Sequence, residues 1–197
     1  DQAGLITEVG QFSQGAVSSL TSYMTAVIPA GVPLAGGWTL VWWTAVTPLQ
    51  IFQNAVKVGS DGPSQVIMAC FDGAGSASGL IGATPVVIAG AGIFAITANF
   101  YAITYDGANT RFYKNGVLLA TSAVAFAGTR VSSIGTGSGA SGGARFGGFM
   151  DEMTLFPSQL SAPQLLALYT AGNAVITSRP ILGTGNDDSL QYSSAQT

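Results

Sequence analysis

Short runs of β-branched and aromatic residues alternate with turn signals through the middle of the chain. The turn signals are residue pairs suited to a chain reversal, at Asp61-Gly62, Asp72-Gly73, Asp106-Gly107 and Asn115-Gly116. The runs beside them predict strands at Trp38 to Val46, Gln65 to Phe71, Val86 to Ala89, Ile93 to Thr97, Phe100 to Tyr105, Arg111 to Asn115 and Val117 to Ala123. Many short strands with a turn about every ten residues are typical of an all-β antiparallel sandwich or barrel.

One helix is predicted near the C-terminal end of the chain. Ser161 is suited to the N-cap, and Gln164 stands where a capping box needs its return hydrogen bond. Leu160 and Leu165 are spaced as the hydrophobic staple of the same motif. Gly172 is predicted to end the helix in the left-handed conformation.

The chain is apolar and carries few charges. Hydrophobic residues make up 48% of it, and charged residues only 8%, against about 25% in ordinary globular domains. With a formal net charge of −3, charge-driven binding to nucleic acid is not expected. A mean hydropathy of +0.44 favours a folded chain. So few charges on a folded surface also indicate that a partner covers part of it.

Several kinds of site are excluded by residue type. Histidine is absent and Cys70 is the one cysteine, which removes His metal sites, Cys clusters, internal disulfides and His-assisted nucleophiles. The uncharged stretch from Pro85 to Ile103 is long enough for a membrane span, but Gly90-Ala91-Gly92 interrupts it. We interpret that stretch as two short strands around a turn and expect no membrane insertion. Since the sequence starts at Asp1 rather than Met, we expect that an upstream piece precedes it.

Three segments resemble a known family. Ala102 to Gly107, followed by Arg111 to Val117, is similar to the central hairpin of laminin-G-like domains of the concanavalin A-like jelly-roll superfamily. Phe146 to Met153, followed by Leu160 to Gly172, resembles the closing strand and short helix of that family. Trp38 to Trp43 resembles its early core strand. The resemblance implies a two-sheet antiparallel jelly-roll sandwich with one short helix near its C-terminal end.

The resemblance also suggests how the chain is divided. Residues 1–36 are expected to hold an N-terminal segment and the first strands, and residues 37–172 the laminin-G-like jelly-roll domain. Residues 173–197 are rich in Ser, Thr, Gly and Asn, and are predicted to form a polar C-terminal arm that a neighbour orders.

The hairpin supplies the candidate binding residues. Pairing across the loop is expected to set Tyr105 opposite Arg111 and Ile103 opposite Tyr113. This pairing leaves one face of the hairpin to the core and gives the other face Phe100, Ala102, Thr104, Phe112 and Lys114. Phe100, Phe112 and Lys114 then predict a contact patch, unless a loop simply covers that face. Trp43 is a candidate for stacking on a sugar ring, with core packing as the alternative.

Acidic residues are few, and none of them forms a catalytic pair. The family that the chain resembles binds glycans, proteins or steroids, sometimes through calcium, which makes Asp106 and Asp151 the positions to consider. The alternative role of Asp106 is a hairpin turn. Asp151 is expected to share an apolar strand face with Met153 and Leu155, where its alternative role is a buried structural hydrogen bond. Glycosidases of the superfamily carry a Glu-x-Asp-x-x-Glu pattern, whereas the only glutamates here are Glu8 and Glu152. The sequence therefore predicts no catalytic residue, cofactor or metal ion.

The glycine-rich run Gly137 to Gly142 has the spacing G-x-G-x-x-G but is not followed by a helix signal. We interpret it as a loop rather than a nucleotide site.

Two functional classes remain. The first is a non-catalytic structural or decoration module of a large extracellular assembly, such as a phage or virus capsid or tail surface, with copies of itself or other structural subunits as partners. The alternative is a glycan-binding adhesion module that contacts surface glycans; a glycoside hydrolase is the least favoured reading. The expected location is extracellular or on a virion surface.

Overall fold

The described part of the chain forms two antiparallel sheets and one helix. The computed structural model describes residues 24–33, 37–46, 53–59, 65–70, 72–124, 130–136 and 148–178. Its elements are β1 (Met24–Pro33), β2 (Trp38–Val46), β3 (Gln53–Gly59), β4 (Gln65–Cys70), β5 (Ala77–Ile81), β6 (Thr84–Ala89), β7 (Asn99–Tyr105), β8 (Thr110–Lys114), β9 (Val117–Ser122), β10 (Arg130–Thr136), β11 (Gly148–Phe156) and α1 (Ala162–Ser178).

The strands form one six-stranded and one five-stranded sheet, in the orders β1-β10-β3-β4-β5-β6 and β11-β2-β7-β8-β9. Every described pair of neighbouring strands is antiparallel. This arrangement confirms the predicted all-β two-sheet sandwich with a single helix near its C-terminal end.

The core lies between the two sheets and follows from alternation along the strands. In β2, Trp38, Leu40 and Trp42 face the core, while Val41 and Trp43 face the opposite way. Trp42 stacks on Tyr101 of the neighbouring strand, with ring centroids 5.7 Å apart. Large aromatic side chains from adjacent strands therefore fill the centre of the sandwich. Trp38 and Trp42 are core residues.

The predicted turn at Asn115-Gly116 is confirmed. Asn115 and Gly116 have φ values of 52° and 79°, and this pair of positive angles is the geometry of a two-residue hairpin between β8 and β9. Gly107, with φ of 94°, lies in the loop between β7 and β8. That loop spans residues 106–109, because Tyr105 pairs with Thr110. The turn predicted at Asp61-Gly62 and the loop Gly137 to Gly142 lie outside the described residues.

The segment from Ile93 to Thr97, predicted as a strand, is a loop across one end of the sandwich. Phe94 points into the core and stacks on Tyr101 at a centroid distance of 5.0 Å. The backbone amide of Val46 donates to the carbonyl of Ala95 at 2.9 Å, so the loop closes the end of β2. The prediction was wrong because an apolar run can cap a core without joining a ladder.

Helix α1 begins as predicted but runs further. The Ser161 amide donates to Oε1 of Gln164 at 2.8 Å, which confirms the return hydrogen bond predicted for Gln164. The Ser161 hydroxyl donates to the same oxygen at 2.8 Å, and the Leu165 amide donates to the Ser161 carbonyl at 3.0 Å as the first hydrogen bond of the helix. The prediction that Gly172 ends the helix is wrong, since α1 continues to Ser178. Residues from 179 onward, within the predicted arm, lie outside the described part.

The described strands reach upstream of residue 37. Strand β1 forms an edge of the six-stranded sheet and pairs with β10. The sandwich therefore includes part of the segment that the sequence analysis treated separately.

The apolar stretch from Pro85 to Ile103 runs through β6, the loop after it and most of β7. Within the described residues, no helix combines the length and apolar character that a membrane crossing requires.

Candidate functional site

The predicted binding residues of the β7–β8 hairpin lie on two different faces of the five-stranded sheet. Ile103 pairs with Phe112, whereas the sequence predicted Tyr113 as its partner. Because a shift of one residue reverses the face of every side chain in a strand, Phe112 belongs to the core and Tyr113 to the opposite face. The structure therefore does not bring Phe112 beside Phe100, and the predicted patch is not formed as proposed.

Helix α1 covers the outer face of the five-stranded sheet. Leu165 is fully buried there, together with Trp43 and Phe100, whose exposed fractions are 5% and 2%. Tyr169 of α1 stacks on Trp43 at a centroid distance of 5.9 Å and lies 6.3 Å from Phe100. The alternative interpretation, that this face is covered by another part of the chain, fits the structure. The cover is a helix rather than a loop.

Lys114 lies at the end of β8, apart from the aromatic cluster beneath α1. Its Nζ donates a hydrogen bond to the carbonyl of Gly92 at 3.0 Å. Partial burial lowers the pKa of Lys114, because desolvation disfavours the charged ammonium. In this position the side chain ties the β8–β9 turn to the loop after β6.

Asp106 organises the β7–β8 loop. Its Oδ1 accepts hydrogen bonds from the amides of Ala108 at 2.8 Å and Asn109 at 2.6 Å. Its Oδ2 forms an ion pair with Nη1 of Arg111 at 2.6 Å. These partners, the Asn109 amide first and the Arg111 guanidinium second, hold the pKa of Asp106 below its ordinary value of 3.8. The turn role proposed for Asp106 accounts for both carboxylate oxygens.

Asp151 lies at a bulge in β11. The register shifts between Asp151 and Thr154, and Glu152 adopts a φ of 49°. The extra residue brings Met150 onto the core face with Met153. The expectation that Asp151 shares this apolar face is therefore wrong. Its half-buried carboxylate accepts a hydrogen bond from the Glu152 amide at 2.8 Å.

The carboxylate of Asp72, like that of Asp106, binds backbone amides of its own loop. Asp72 accepts hydrogen bonds from the amides of Ser76 at 3.0 Å and Ala74 at 2.9 Å, which lower its pKa. A general acid needs a raised pKa, so neither Asp72 nor Asp106 suits that role. Among the described residues, no three His, Cys, Asp or Glu side chains come together as a metal-binding group.

Cys70 is buried, as expected for a small apolar residue in the core. Its Sγ donates to the carbonyl of Asp72 at 3.3 Å.

The outer face of the six-stranded sheet presents apolar side chains that the sequence analysis did not single out. Strands β3 to β6 direct these residues away from the core, since their neighbours along each strand belong to it. We call this surface the β3–β6 face, and it consists of Lys57, Ile67, Ala69, Ser78, Leu80, Pro85 and Val87.

The β3–β6 face becomes more exposed toward the edge of the sheet. Ile67 and Ala69 are buried, Leu80 is half-buried, and Val87 on β6 is 89% exposed. Lys57 is the one charged residue of this face. The consecutive Val and Ile residues of β4 and β6 were visible in the sequence, but which of them share an outer face depends on register and strand order.

A comparison with family models identifies the superfamily of the chain. A laminin-G model matches residues 18–166, from before β1 into α1. The chain belongs to the concanavalin A-like lectin/glucanases superfamily. The match confirms the resemblance found in the hairpin and the closing segments. A sequence comparison with curated proteins finds no match.

Solved structures of this superfamily fold show the same architecture at low sequence identity. The CBM40 domain of the Ruminococcus gnavus IT-sialidase, bound to α2,3-sialyllactose, has a TM-score of 0.53 at 18% identity, covering 77% of this chain and 99% of its own. The binding domain of botulinum neurotoxin DC, in complex with rat synaptotagmin II, has a TM-score of 0.55 at 11% identity, with coverages of 76% and 40%.

Trypanosoma rangeli sialidase gives a TM-score of 0.59 at 18% identity and covers 72% of this chain. The chain spans about a quarter of that sialidase, 24% of its length. At these identities the likenesses establish the fold alone.

Proposed function

We propose that this domain is a non-catalytic binding module that acts through protein–protein contacts as a structural or decoration component of a larger extracellular assembly, such as the surface of a phage or virus capsid or tail. Its partners in this proposal are copies of itself or other structural subunits. The observation that carries the proposal is the outer part of the β3–β6 face, where Leu80, Pro85 and Val87 are half-buried or exposed and none of them is charged. Exposed apolar surfaces of this kind favour contact with another protein.

The distribution of aromatic residues supports a protein partner. The exposed large hydrophobic residues of the described part are aliphatic: Val87, Ile96, Val117, Leu118, Leu166 and Leu168. Trp43 and Phe100 lie beneath α1, where they stabilise the helix on the sheet. A ring held in this way has no free face on which a sugar could stack.

The low charge of the whole chain agrees with burial between subunits. Charged residues make up only 8% of the sequence. Interface cores are depleted in charged residues relative to the rest of a protein surface. A chain that spends its functional life among neighbouring subunits needs fewer charges to stay dispersed in water.

Sedimentation velocity over about 1–100 µM tests the proposal, since this range detects association of micromolar affinity. We expect species larger than the monomer. Val87→Glu should weaken them, because it places a carboxylate on the apolar face. Ile96→Glu is the matched control, since Ile96 is also exposed, at 70%, but lies in the loop after β6. Equal behaviour of both variants and wild type would remove the β3–β6 face from the proposal.

Glycan binding is the second candidate. It is favoured by the likeness to the CBM40 domain, whose structure contains sialyllactose and matches this chain over nearly its own full length. A glycan array, read with and without calcium, separates the candidates. A reproducible hit from a protein that sediments as a monomer would overturn the protein-contact proposal in favour of this one.

A further inference from the structure

Asn115 joins the β8–β9 turn to the start of β7. Its backbone amide donates to the carbonyl of Phe100 at 2.8 Å, and its Oδ1 accepts from the Phe100 amide at 2.9 Å. Its Nδ2 donates to Oδ1 of Asn99 at 3.0 Å. These partners fix the orientation of the Asn115 side-chain amide, because only its oxygen can accept and only its nitrogen can donate. We call the group of Asn99, Phe100 and Asn115 the turn clip.

The side chain of Asn99 is held in its turn. Its Nδ2 donates to the carbonyl of Thr97 at 2.9 Å. Asn99 therefore presents its Oδ1 to Asn115, and this atom accepts hydrogen bonds but cannot donate them. The turn clip suits an amide at position 115. It suits a carboxylate poorly, because one carboxylate oxygen would face the Asn99 oxygen.

Asn115 is followed by Gly116, and this is the only Asn-Gly pair in the sequence. In such a pair the glycine nitrogen can attack Cγ of the asparagine, since glycine has no side chain to obstruct the approach. The new N–C bond closes a succinimide ring, and the side-chain nitrogen leaves as ammonia with the proton of the glycine amide. Water then opens the ring at either carbonyl and restores that proton, which gives aspartate or isoaspartate. The net change is one water taken up and one ammonia released.

The turn clip holds this reaction back in the folded protein. Attack requires the side-chain amide of Asn115 to rotate until its Cγ faces the Gly116 nitrogen. Both polar atoms of that amide are bound to β7, and the turn fixes Asn115 and Gly116 at φ values of 52° and 79°. The reaction therefore proceeds from the fraction of molecules in which the clip is open.

The products do not fit the space that Asn115 leaves. Isoaspartate carries the main chain through the former side chain, so the two-residue turn gains one methylene. Gly116 has no room to move toward α1, since a Cβ atom there would lie 2.8 Å from Cα of Leu166. A longer turn must therefore separate from α1 or from β7.

We propose that Asn115 is a self-modification site of this domain, where spontaneous deamidation is held back by Asn99 and, once complete, releases the β8–β9 turn from β7 and α1. The substrate is the chain itself and the co-reactant is water. The step is irreversible because ammonia is lost to solution. It adds one negative charge to a chain of formal net charge −3, so the modified form can be separated by ion exchange.

Peptide mapping by mass spectrometry measures the rate at Asn115 in the folded full chain, with the denatured chain as the upper limit. We expect wild type to react more slowly than the denatured chain. Asn99→Ala should raise the rate about two- to tenfold, the range that corresponds to one lost hydrogen bond. Asn99→Asp keeps an acceptor for Nδ2 of Asn115 and should stay close to wild type. Asn109→Ala, at the opposite end of the β7–β8 hairpin, is the matched control and should equal wild type.

The outcomes separate the two halves of the proposal. No reaction at Asn115 in folded Asn99→Ala, while the denatured chain reacts, would overturn the site. Equal rates in wild type and Asn99→Ala would overturn the role of Asn99. Hydrogen exchange of the separated modified form should be faster than that of the unmodified form in peptides spanning residues 99–103 and 162–169. Identical exchange in the two forms would overturn the release of the turn.

Discussion

Gly172 packs directly against the indole of Trp43. A Cβ atom added at Gly172 would lie 2.7 Å from Cζ2 of Trp43, closer than real contacts of this kind come. The glycine is therefore needed inside α1 to let the helix approach the five-stranded sheet. This contact holds Trp43 in place beneath α1 and accounts for the position of a residue that ordinarily weakens a helix.

We expect Gly172→Ala to destabilise the protein, although alanine favours helices by about 1 kcal/mol over glycine. Overpacking against a buried ring costs about 1–3 kcal/mol, so the free energy of unfolding should fall by up to about 2 kcal/mol once the helix gain is subtracted. Chemical denaturation measures the change. Ala171→Gly, at an exposed neighbouring position, is the control for helix propensity alone. A rise in stability on Gly172→Ala would contradict the packing argument.

Two buried threonines opposite each other should respond differently to the same substitution. Thr39 pairs with Thr104 across β2 and β7. The Thr39 hydroxyl donates to the carbonyl of Ser158 at 3.0 Å and accepts from the Leu160 amide at 2.8 Å. The Thr104 hydroxyl is buried without a hydrogen-bond partner. Thr39 therefore holds the chain just before α1, whereas Thr104 contributes only packing.

Thr39→Val should lower the free energy of unfolding by about 1–3 kcal/mol, because it removes two hydrogen bonds, to the Ser158 carbonyl and from the Leu160 amide, each worth about 0.5–1.5 kcal/mol. Thr104→Val should change it little or raise it by up to about 1 kcal/mol, because it replaces an unpaired polar group with a methyl. Thermal unfolding of the two variants, which are matched in size and chemistry, checks the difference. Equal losses in both would refute the assignment.

The Asp106 carboxylate should make stability depend on pH in the acid range. Its folded pKa lies below the ordinary value of 3.8, so its contribution is complete above pH 3.8 and is lost as pH falls toward the folded pKa. Asp106→Asn should cost about 1–2 kcal/mol at neutral pH, as for a hydrogen bond to a charged group. Denaturation curves between neutral and acid pH should show the difference from wild type shrinking below pH 3.8.

The partners of Asp106 allow a finer test. The Asn109 amide is the largest cause of its lowered pKa, and the Arg111 guanidinium comes second. Arg111→Gln should therefore retain most of the pH dependence that Asp106→Asn removes. A complete loss in Arg111→Gln would show that the ion pair, and not the loop amides, dominates.

Those parts of the fold that depend on strong local signals could be read from the sequence. β2 was predicted with its observed bounds, because three tryptophans and alternating Val, Leu and Thr residues favour a strand wherever they lie. The Asn115-Gly116 turn and the Ser161 cap followed from side-chain chemistry alone. By contrast β5, with the sequence ASGLI, is a strand because β4 and β6 pair with it on both sides.

The candidate site was less accessible to sequence reasoning, because it depends on register. The pairing of Tyr105 with Thr110 shortens the hairpin loop by one residue relative to the prediction, and that single step moved Phe112 into the core. The bulge at Glu152 likewise places Met150 on the core face, and Asp151 on the opposite face, contrary to the prediction. The β3–β6 face requires the strand order, which local patterns do not contain.

The position of Phe112 gives a last prediction, which separates a core residue from a binding residue. Phe112 is fully buried, and its ring approaches Gly79 of the opposite sheet closely enough that a Cβ there would lie 3.1 Å from it. Phe112→Ala should therefore lower the free energy of unfolding by about 3–5 kcal/mol, as for other buried phenylalanines. Ile96→Ala, at a 70% exposed position, should change it by less than about 0.5 kcal/mol. If Phe112→Ala instead kept full stability while weakening binding to a glycan or protein, Phe112 would be a surface contact, and the register that places it in the core would be wrong.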